Sequence, residues 1–154
     1  TGMHAVAFAR QGRRAAGADI SPAMIEKARE NARRAAVDID LKVAGFGELS
    51  RNFDRDFDAV TCLGNSLPHL LEEDVLVGAL ADFARVLRPG GTLVIQNRNY
   101  DRVLASPRRS VHLNAREEQD GETLFVRMTE PRGGESIDFS ILTLSHTNNF
   151  IISF

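Results

Sequence analysis

The first part of the chain alternates between short apolar runs and segments with helical periodicity. Three segments predict short strands, at Ala15–Ile20, Asp40–Ala44 and Phe57–Leu63. A helical pattern over His4–Arg10 precedes the first of them. After it, Ser21 is suited to the N-cap of a second helix and Pro22 to its first position. Strands and helices are therefore expected to alternate.

The second predicted helix is amphipathic. Its inward stripe is expected to contain Met24, Ala28 and Ala32. Ile20 is placed to pack against Ile25 as a hydrophobic staple. On the outer face, Glu30 is placed to pair with Arg33 and Arg34.

A third amphipathic segment predicts a helix over Asp74–Arg88. One face carries large apolar side chains, namely Leu76, Leu80, Phe83 and Leu87. Pro89–Gly90–Gly91 is expected to stop this helix, because Pro and Gly are poor helix formers. The next run, Thr92–Gln96, is apolar until its end, which is typical of a parallel strand covered on both faces.

The remaining pattern is that of antiparallel strands. Val111–Ala115 and Thr123–Glu130 flank Asp120–Gly121, a dipeptide typical of β-hairpins. Gly133–Gly134 then precedes Ile137–Leu144, where apolar and polar residues alternate. One face of this last strand is therefore expected to be more buried than the other.

These elements together predict an α/β, doubly wound fold with a mostly parallel sheet and antiparallel C-terminal strands. We expect one domain, with a core at 1–104, antiparallel strands at 105–144, and a tail at 145–154 that is a short strand or an irregular end. Such a sheet normally begins with a strand that feeds a Gly-rich turn. Helical periodicity starts almost at Thr1, so the first strand is expected to be missing and the chain to be truncated at its N-terminal end.

Composition narrows the classes of function. The 154 residues are 43% hydrophobic with a formal net charge of -2, and no basic, aromatic stripe favours nucleic acid. The apolar runs are far shorter than the roughly 20 residues needed to cross a bilayer, and no signal peptide is expected. Cys62 is the single cysteine and lies in an apolar run, which is typical of a buried thiol rather than a nucleophile. We expect a cytoplasmic protein without nucleic-acid or membrane partners.

Asp19 is the first residue with a chemical interpretation. It ends a predicted strand and follows Gly2 at close to the ~20-residue spacing of a ribose-binding acid. An acid just before a helix is also favoured by the helix dipole, so Asp19 alone does not decide between the two interpretations.

Four motifs stand in an order that is characteristic of one enzyme family. They are Thr1–Gly2 before a helix, Asp19 at a strand end, Phe57–Val60 before Cys62–Ser66, and Leu87–Gly91 before a strand. From about Thr1 to Leu104 the chain resembles class I S-adenosylmethionine-dependent methyltransferases. The resemblance implies a Rossmann-like fold and S-adenosylmethionine as the cofactor.

Two segments indicate a particular group within this family. Cys62–Leu70 and Asn97–Asp101 are similar to the glycine and sarcosine N-methyltransferase group, which implies a small amine or amino acid as substrate. The matching motifs imply a cofactor site made of Gly2, Asp19, Ile20, Phe46, Leu63 and His69, with Asp19 on the ribose and Phe46 on the adenine. They imply a catalytic, acceptor-binding side made of Asn65, Arg98 and Tyr100.

Methyl transfer mainly requires alignment, because the sulfonium leaving group is already activated. No metal ion or nucleophilic triad is required. Arg98, at the end of a predicted strand, is suited to hold a carboxylate by a two-pronged hydrogen bond while an amine stays free. A structural ion pair with Asp101 or Glu117 is the other interpretation.

The other candidates also have structural interpretations. Asn65 fits a turn cap, Tyr100 a packed ring, and His69 a packed or capping side chain. Phe46 fits the core as well as adenine stacking. The family generally has an acid or amide before this aromatic position, whereas Gly45 has no side chain. Backbone groups would then have to replace it, or adenine binding is weaker.

Two other functions stay open at this point. A nicotinamide-dependent oxidoreductase also has a strand, Gly turn, helix and acid, but a complete G-x-G-x-x-G is missing and the Asn65 and Arg98 motifs have no role in hydride transfer. A truncated, non-catalytic domain is the second alternative. A missing first strand would remove a central piece of the sheet and most of the Gly-rich turn, and would expose strand edges. The polypeptide alone is therefore expected to bind the cofactor poorly.

Overall fold

The computed structural model describes residues 1–54, 56–105, 109–118, 121–132, 136–146 and 150–153. These residues form two compact units, Thr1–Asn97 and Arg98–Phe154. The single domain over residues 1–154 stays a prediction.

The first unit alternates helices with short parallel strands. Its elements are α1 (Met3–Arg10), β1 (Ala15–Asp19), α2 (Pro22–Arg34), β2 (Ile39–Val43), α3 (Leu49–Asn52), β3 (Phe57–Cys62), a 3-10 turn (Leu67–His69), α4 (Glu73–Val86) and β4 (Leu87–Ile95). β1 pairs with β2, and β3 pairs with β4, both in parallel. In the described part of the chain these are two separate strand pairs, and no strand precedes α1. The parallel arrangement and the alternation with helices confirm the predicted fold class.

Helix α2 begins where the sequence predicts, because Ser21 Oγ accepts a hydrogen bond from the Met24 N–H (3.4 Å). Its buried residues are Ile25, Ala28 and Ala32. The first two pack against Leu41 of β2. Met24 was predicted in this stripe but is 45% exposed, since neighbouring helix positions point about 100° apart. Ile20 is 77% exposed and does not share the burial of Ile25, so the expected staple is wrong.

The outer face of α2 carries exposed ion pairs. Glu30 pairs with Arg34, as predicted, and also with Lys27. Arg33 pairs instead with Glu26. The hydrogen bond from Lys27 and the charge of Arg34 lower the pKa of Glu30.

Helix α4 and strands β3 and β4 form a second core. Its buried residues are Cys62, Leu67 and Phe83. The helix ends at Val86, so Leu87, predicted on the helix, begins β4 and pairs with Phe57. Pro89–Gly90–Gly91 therefore lies within β4 and does not end the helix. Gly91 is required there, because a Cβ would lie 2.9 Å from Leu87 Cδ2 and 3.1 Å from the Phe57 carbonyl oxygen.

The second unit is an antiparallel sheet that follows a short helix. Its elements are α5 (Tyr100–Leu104), β5 (Ser110–Glu118), β6 (Gly121–Arg132), β7 (Ser136–His146) and β8 (Phe150–Ser153), with the strands in chain order. The predicted hairpins are confirmed by the pairing, although Asp120 and Gly133–Gly134 lie outside the described residues. Over 137–142 of β7, each face has two exposed residues and one half-buried residue, Ile137 on one face and Leu142 on the other, so the expected difference in burial between the faces is wrong there. Strand β8 shows that the tail contains a short strand.

Candidate functional site

Asp19 lies at the carboxyl end of β1, where two hydrogen bonds fix its position. Its Oδ1 accepts from the Ser21 N–H (2.9 Å), which orients the carboxylate. Its carbonyl oxygen accepts from the Ala44 N–H (3.1 Å), which joins the ends of β1 and β2. The residue is half-buried. A carboxylate has about four lone-pair sites, so this one retains acceptor capacity for the hydroxyl groups of a ligand.

Ile20 and Gly45 lie together beside Asp19. Ile20 is among the exposed apolar residues of the chain. A Cβ at Gly45 would lie 3.5 Å from Ile20 Cδ1. An exposed apolar side chain next to a fixed carboxylate is the combination that small-molecule sites use for contact area and orientation.

Phe46 lies at the border between the core and the surface. It is half-buried, and its ring packs edge-on against Phe83 of α4, with the ring centroids 6.0 Å apart at 70°. It belongs to the apolar cluster around Cys62 and Leu67. The core interpretation of Phe46 is therefore confirmed, and its role toward adenine stays a prediction. Its packing brings the turn after β2 to the turn after β3.

Gln96, which the sequence did not single out, joins the carboxyl ends of β3 and β4. Its backbone N–H donates to the Cys62 carbonyl (3.0 Å), and its Oε1 accepts from the Gly64 N–H (2.8 Å). Its carbonyl accepts from the Asn65 N–H (3.4 Å). These bonds fix the segment that contains Leu63 and Asn65. The signal in the sequence that could have identified Gln96 was its position as a polar residue at the end of an apolar strand.

The segment after β3 makes a tight turn. Asn65 has φ of 65°, in the left-handed region that Asn tolerates better than most residues, which agrees with a turn role. Leu63 is half-buried. His69 ends the 3-10 turn and is exposed, so a packed histidine is wrong. The roles of Leu63 and His69 toward a cofactor stay predictions.

Gly2 has a packing reason to be glycine. Its φ is 69°, and a Cβ there would lie 2.8 Å from Ala28 Cβ. Glycine thus allows the start of α1 to approach α2 closely. Asn31 Nδ2 of α2 also donates to the Thr1 carbonyl (2.9 Å). The role of Gly2 toward a cofactor is not tested by these contacts.

Arg98 and Tyr100, predicted on the acceptor side, belong to the second unit. Arg98 is exposed, and Tyr100 is half-buried at the start of α5. This short helix is capped by Asn99, whose Oδ1 accepts from the Arg102 N–H (2.9 Å). Asn65 and Asp19 belong to the first unit, so a shared acceptor site stays a prediction.

Asp82 of α4 is fully buried, which the sequence did not reveal. Its carboxylate accepts from the Leu49 N–H (2.6 Å), the Ser50 N–H (3.1 Å) and Ser50 Oγ (2.6 Å). Burial acts to raise the pKa of Asp82, but these hydrogen bonds outweigh it and the pKa lies below its usual value. Asp82 therefore ties α4 to the helix that follows the Gly45–Glu48 turn.

Other kinds of site have less support. Cys62 is buried, and burial raises the pKa of its thiol, which confirms the structural interpretation. Among the described residues, no group of three or more His, Cys, Asp or Glu side chains is placed to hold a metal ion. No helix within these ranges is long and apolar enough to cross a membrane.

A cavity of about 310 Å³ lies at the opposite ends of the strands. Its lining includes Ala15 and Ala16 at the start of β1, Asp40 of β2 and Phe57 at the start of β3. Open α/β sheets bind ligands outside the carboxyl ends of their strands, so the edge at Asp19 is the better candidate.

Comparison with known proteins gives consistent matches. Residues 1–91 match a family model described as "Methyltransferase domain". The chain is 39% identical over 104 residues to the glycine/sarcosine N-methyltransferase of Parasynechococcus marenigrum (strain WH8102), covering 68% of this chain and 37% of that protein. It is 37% identical over 112 residues to the enzyme of the same name from Aphanothece halophytica, covering 73% and 42%. The chain thus spans less than half the length of these relatives.

A solved structure supports the fold. CalS10, an amino pentose methyltransferase from Micromonospora echinaspora solved with S-adenosylmethionine bound, matches with a TM-score of 0.66 and 20% identity. The match covers 91% of this chain and 56% of that one. At this identity the likeness concerns the fold alone.

Proposed function

The chain belongs to the methyltransferase-domain family, and we propose that it carries the cofactor site of an S-adenosylmethionine-dependent enzyme that methylates a small amine or amino acid. The observation that carries the proposal is the position of Asp19 at the carboxyl end of β1, with its carboxylate oriented by the Ser21 N–H. The names of the relatives that match at 36–39% identity support the acceptor class.

The residues beside Asp19 suit a nucleoside. The carboxylate can accept hydrogen bonds from two neighbouring ribose hydroxyls, because only one of its oxygens receives the Ser21 N–H. The apolar side chains of Ile20 and Phe46 offer contact area for a flat base. S-adenosylmethionine, when bound, would supply a methyl group on a positively charged sulfur. The chain itself has to bind and orient the cofactor and the acceptor, and it needs no nucleophile.

The acceptor side is proposed from Asn65, Arg98 and Tyr100. The Arg98 guanidinium would hold the carboxylate of an amino acid with two parallel hydrogen bonds. An amine held this way is positioned by its own carboxylate, and once its ammonium proton has passed to solvent its lone pair is free for attack. Asn65 and Tyr100 would orient that amine through their polar groups.

Calorimetric titration tests the proposal. S-adenosylhomocysteine is expected to bind measurably, although weakly in the polypeptide alone, and NADH is not, because the site offers a ribose-binding acid without a complete dinucleotide motif. Binding of NADH without binding of S-adenosylhomocysteine would assign the chain to the oxidoreductase alternative. In a methyl-transfer assay, glycine and sarcosine are the acceptors to compare first.

A further inference from the structure

Glu48 is an exposed acid whose side chain turns back onto Gly45. Its Oε2 accepts a hydrogen bond from the Gly45 N–H (2.7 Å), and its own N–H donates to the Gly45 carbonyl (3.3 Å). These two bonds close the turn between β2 and α3. The first of them also orients the carboxylate.

The Glu48 carboxylate borders the space that a side chain at Gly45 would take. A Cβ at Gly45 would lie 3.4 Å from Glu48 Oε2 and 3.5 Å from Ile20 Cδ1. Glu48 and Ile20 therefore converge on one point from two elements. The charged group that position 45 lacks is supplied from position 48.

This point lies beside the residue proposed to bind ribose. The Ala44 N–H donates to the Asp19 carbonyl, and β1 and β2 are neighbouring strands, which lie about 4.8 Å apart in a sheet. A nucleoside with its ribose on Asp19 would extend its base across Ile20 toward Gly45.

We propose that Glu48 recognises the base of the bound nucleoside, with its carboxylate accepting a hydrogen bond from the exocyclic amino group of adenine. The inference rests on the proposed function, because it concerns the same site. A carboxylate only accepts hydrogen bonds, and the Gly45 N–H fills about one of its four lone-pair sites. Adenine presents a donor on this edge, whereas hypoxanthine presents a carbonyl oxygen. Glu48 therefore selects adenine by hydrogen-bond polarity.

The test compares S-adenosylhomocysteine with S-inosylhomocysteine, whose bases differ in the group at C6 and in the hydrogen that hypoxanthine carries on the neighbouring N1. Calorimetric titration of the wild-type protein is expected to show a preference for the adenine ligand of about tenfold or more, as for a hydrogen bond to a charged group. In Glu48→Gln the amide oxygen can still accept from Gly45, which leaves the amide NH₂ to face the base. The preference is then expected to fall to within about threefold or to reverse.

Glu73→Gln is the matched control, because it neutralises another exposed acid, in the first turn of α4. This variant is expected to keep the wild-type preference. An unchanged preference in Glu48→Gln, or equal binding of both ligands by the wild type, would overturn the role of Glu48 and leave the proposed function standing. If the wild type binds neither ligand, both the inference and the proposed function are wrong.

Discussion

The two units of the chain use their strands differently. In the first unit, the parallel strands β1 and β2 have 5 residues each, and their carboxyl ends lie at the same edge. In the second, the antiparallel strands β6 and β7 have 12 and 11 residues and run in opposite directions. Parallel pairing collects the residues that follow successive strands at one edge, whereas an antiparallel meander sends them to alternate edges.

Exposed ion pairs occur in both units, whereas the carboxylates of the first unit also include two that backbone N–H groups hold in place. In the first unit, the carboxylates of Asp19 and Asp82 accept hydrogen bonds from backbone N–H groups, which fixes their positions. In the second, the ion pairs Arg109–Glu130 and Arg132–Asp138 are exposed. Groups held by backbone N–H donors are preorganised for binding, whereas exposed ion pairs contribute little to the free energy of folding.

The largest expected effect is on stability, in Asp82→Ala. This change leaves the Leu49 and Ser50 N–H groups without their acceptor, and is expected to lower the free energy of unfolding by about 3 kcal/mol. Urea denaturation measures it. Asp138→Ala, which breaks an exposed pair, is the control and is expected to cost less than about 1 kcal/mol. Equal losses of unfolding free energy in the two variants would contradict the expected difference between a buried, backbone-held carboxylate and an exposed ion pair.

Arg98→Ala tests the proposal that different residues bind the cofactor and the acceptor. The variant is expected to lose about 100-fold in kcat/KM for an amino-acid acceptor, because a two-pronged grip on a carboxylate is lost. Its affinity for S-adenosylhomocysteine is expected to change by less than about twofold. Steady-state kinetics and calorimetry together separate the two effects. Weakened cofactor binding with normal turnover would contradict the assignment.

The smallest effect is a pH dependence. Because the folded pKa of Asp82 is lowered, its carboxylate stabilises the fold above the unfolded pKa of about 3.9, and this contribution is lost as the pH falls through the folded pKa. The free energy of unfolding of the wild type should therefore fall more between about pH 5 and pH 3 than that of Asp82→Asn. A parallel loss in both proteins would show that other groups control acid stability.

Local signals were sufficient for much of the fold. Ser21 and Pro22 mark the start of α2 because a cap and an N-terminal proline act within one turn. Strands β1, β2 and β3 were also predicted, because the residue pattern of a short strand is local as well. The Pro89–Gly90–Gly91 prediction was wrong because strand pairing of Leu87 with Phe57 took precedence over the local preference. That pairing joins residues far apart in the sequence.

The site was predictable only in part. Asp19 follows from its position at a strand end, where the structure places it. Glu48 and Asp82 were missed because each acts through a contact that the sequence does not show. The partners of Asp82 are Leu49 and Ser50, on another helix. Glu48 depends on the shape of the turn that returns it to Gly45.

The central claim is that the carboxyl edge of the first unit binds a nucleoside through Asp19. Calorimetric titration of S-adenosylhomocysteine into Asp19→Ala and Asp38→Ala tests it, because Asp38 is an exposed acid just before β2, at the opposite edge. Asp19→Ala is expected to weaken binding by about 100-fold, as for the loss of hydrogen bonds to a charged group, while Asp38→Ala binds like the wild type. Equal affinities in all three proteins would contradict the account.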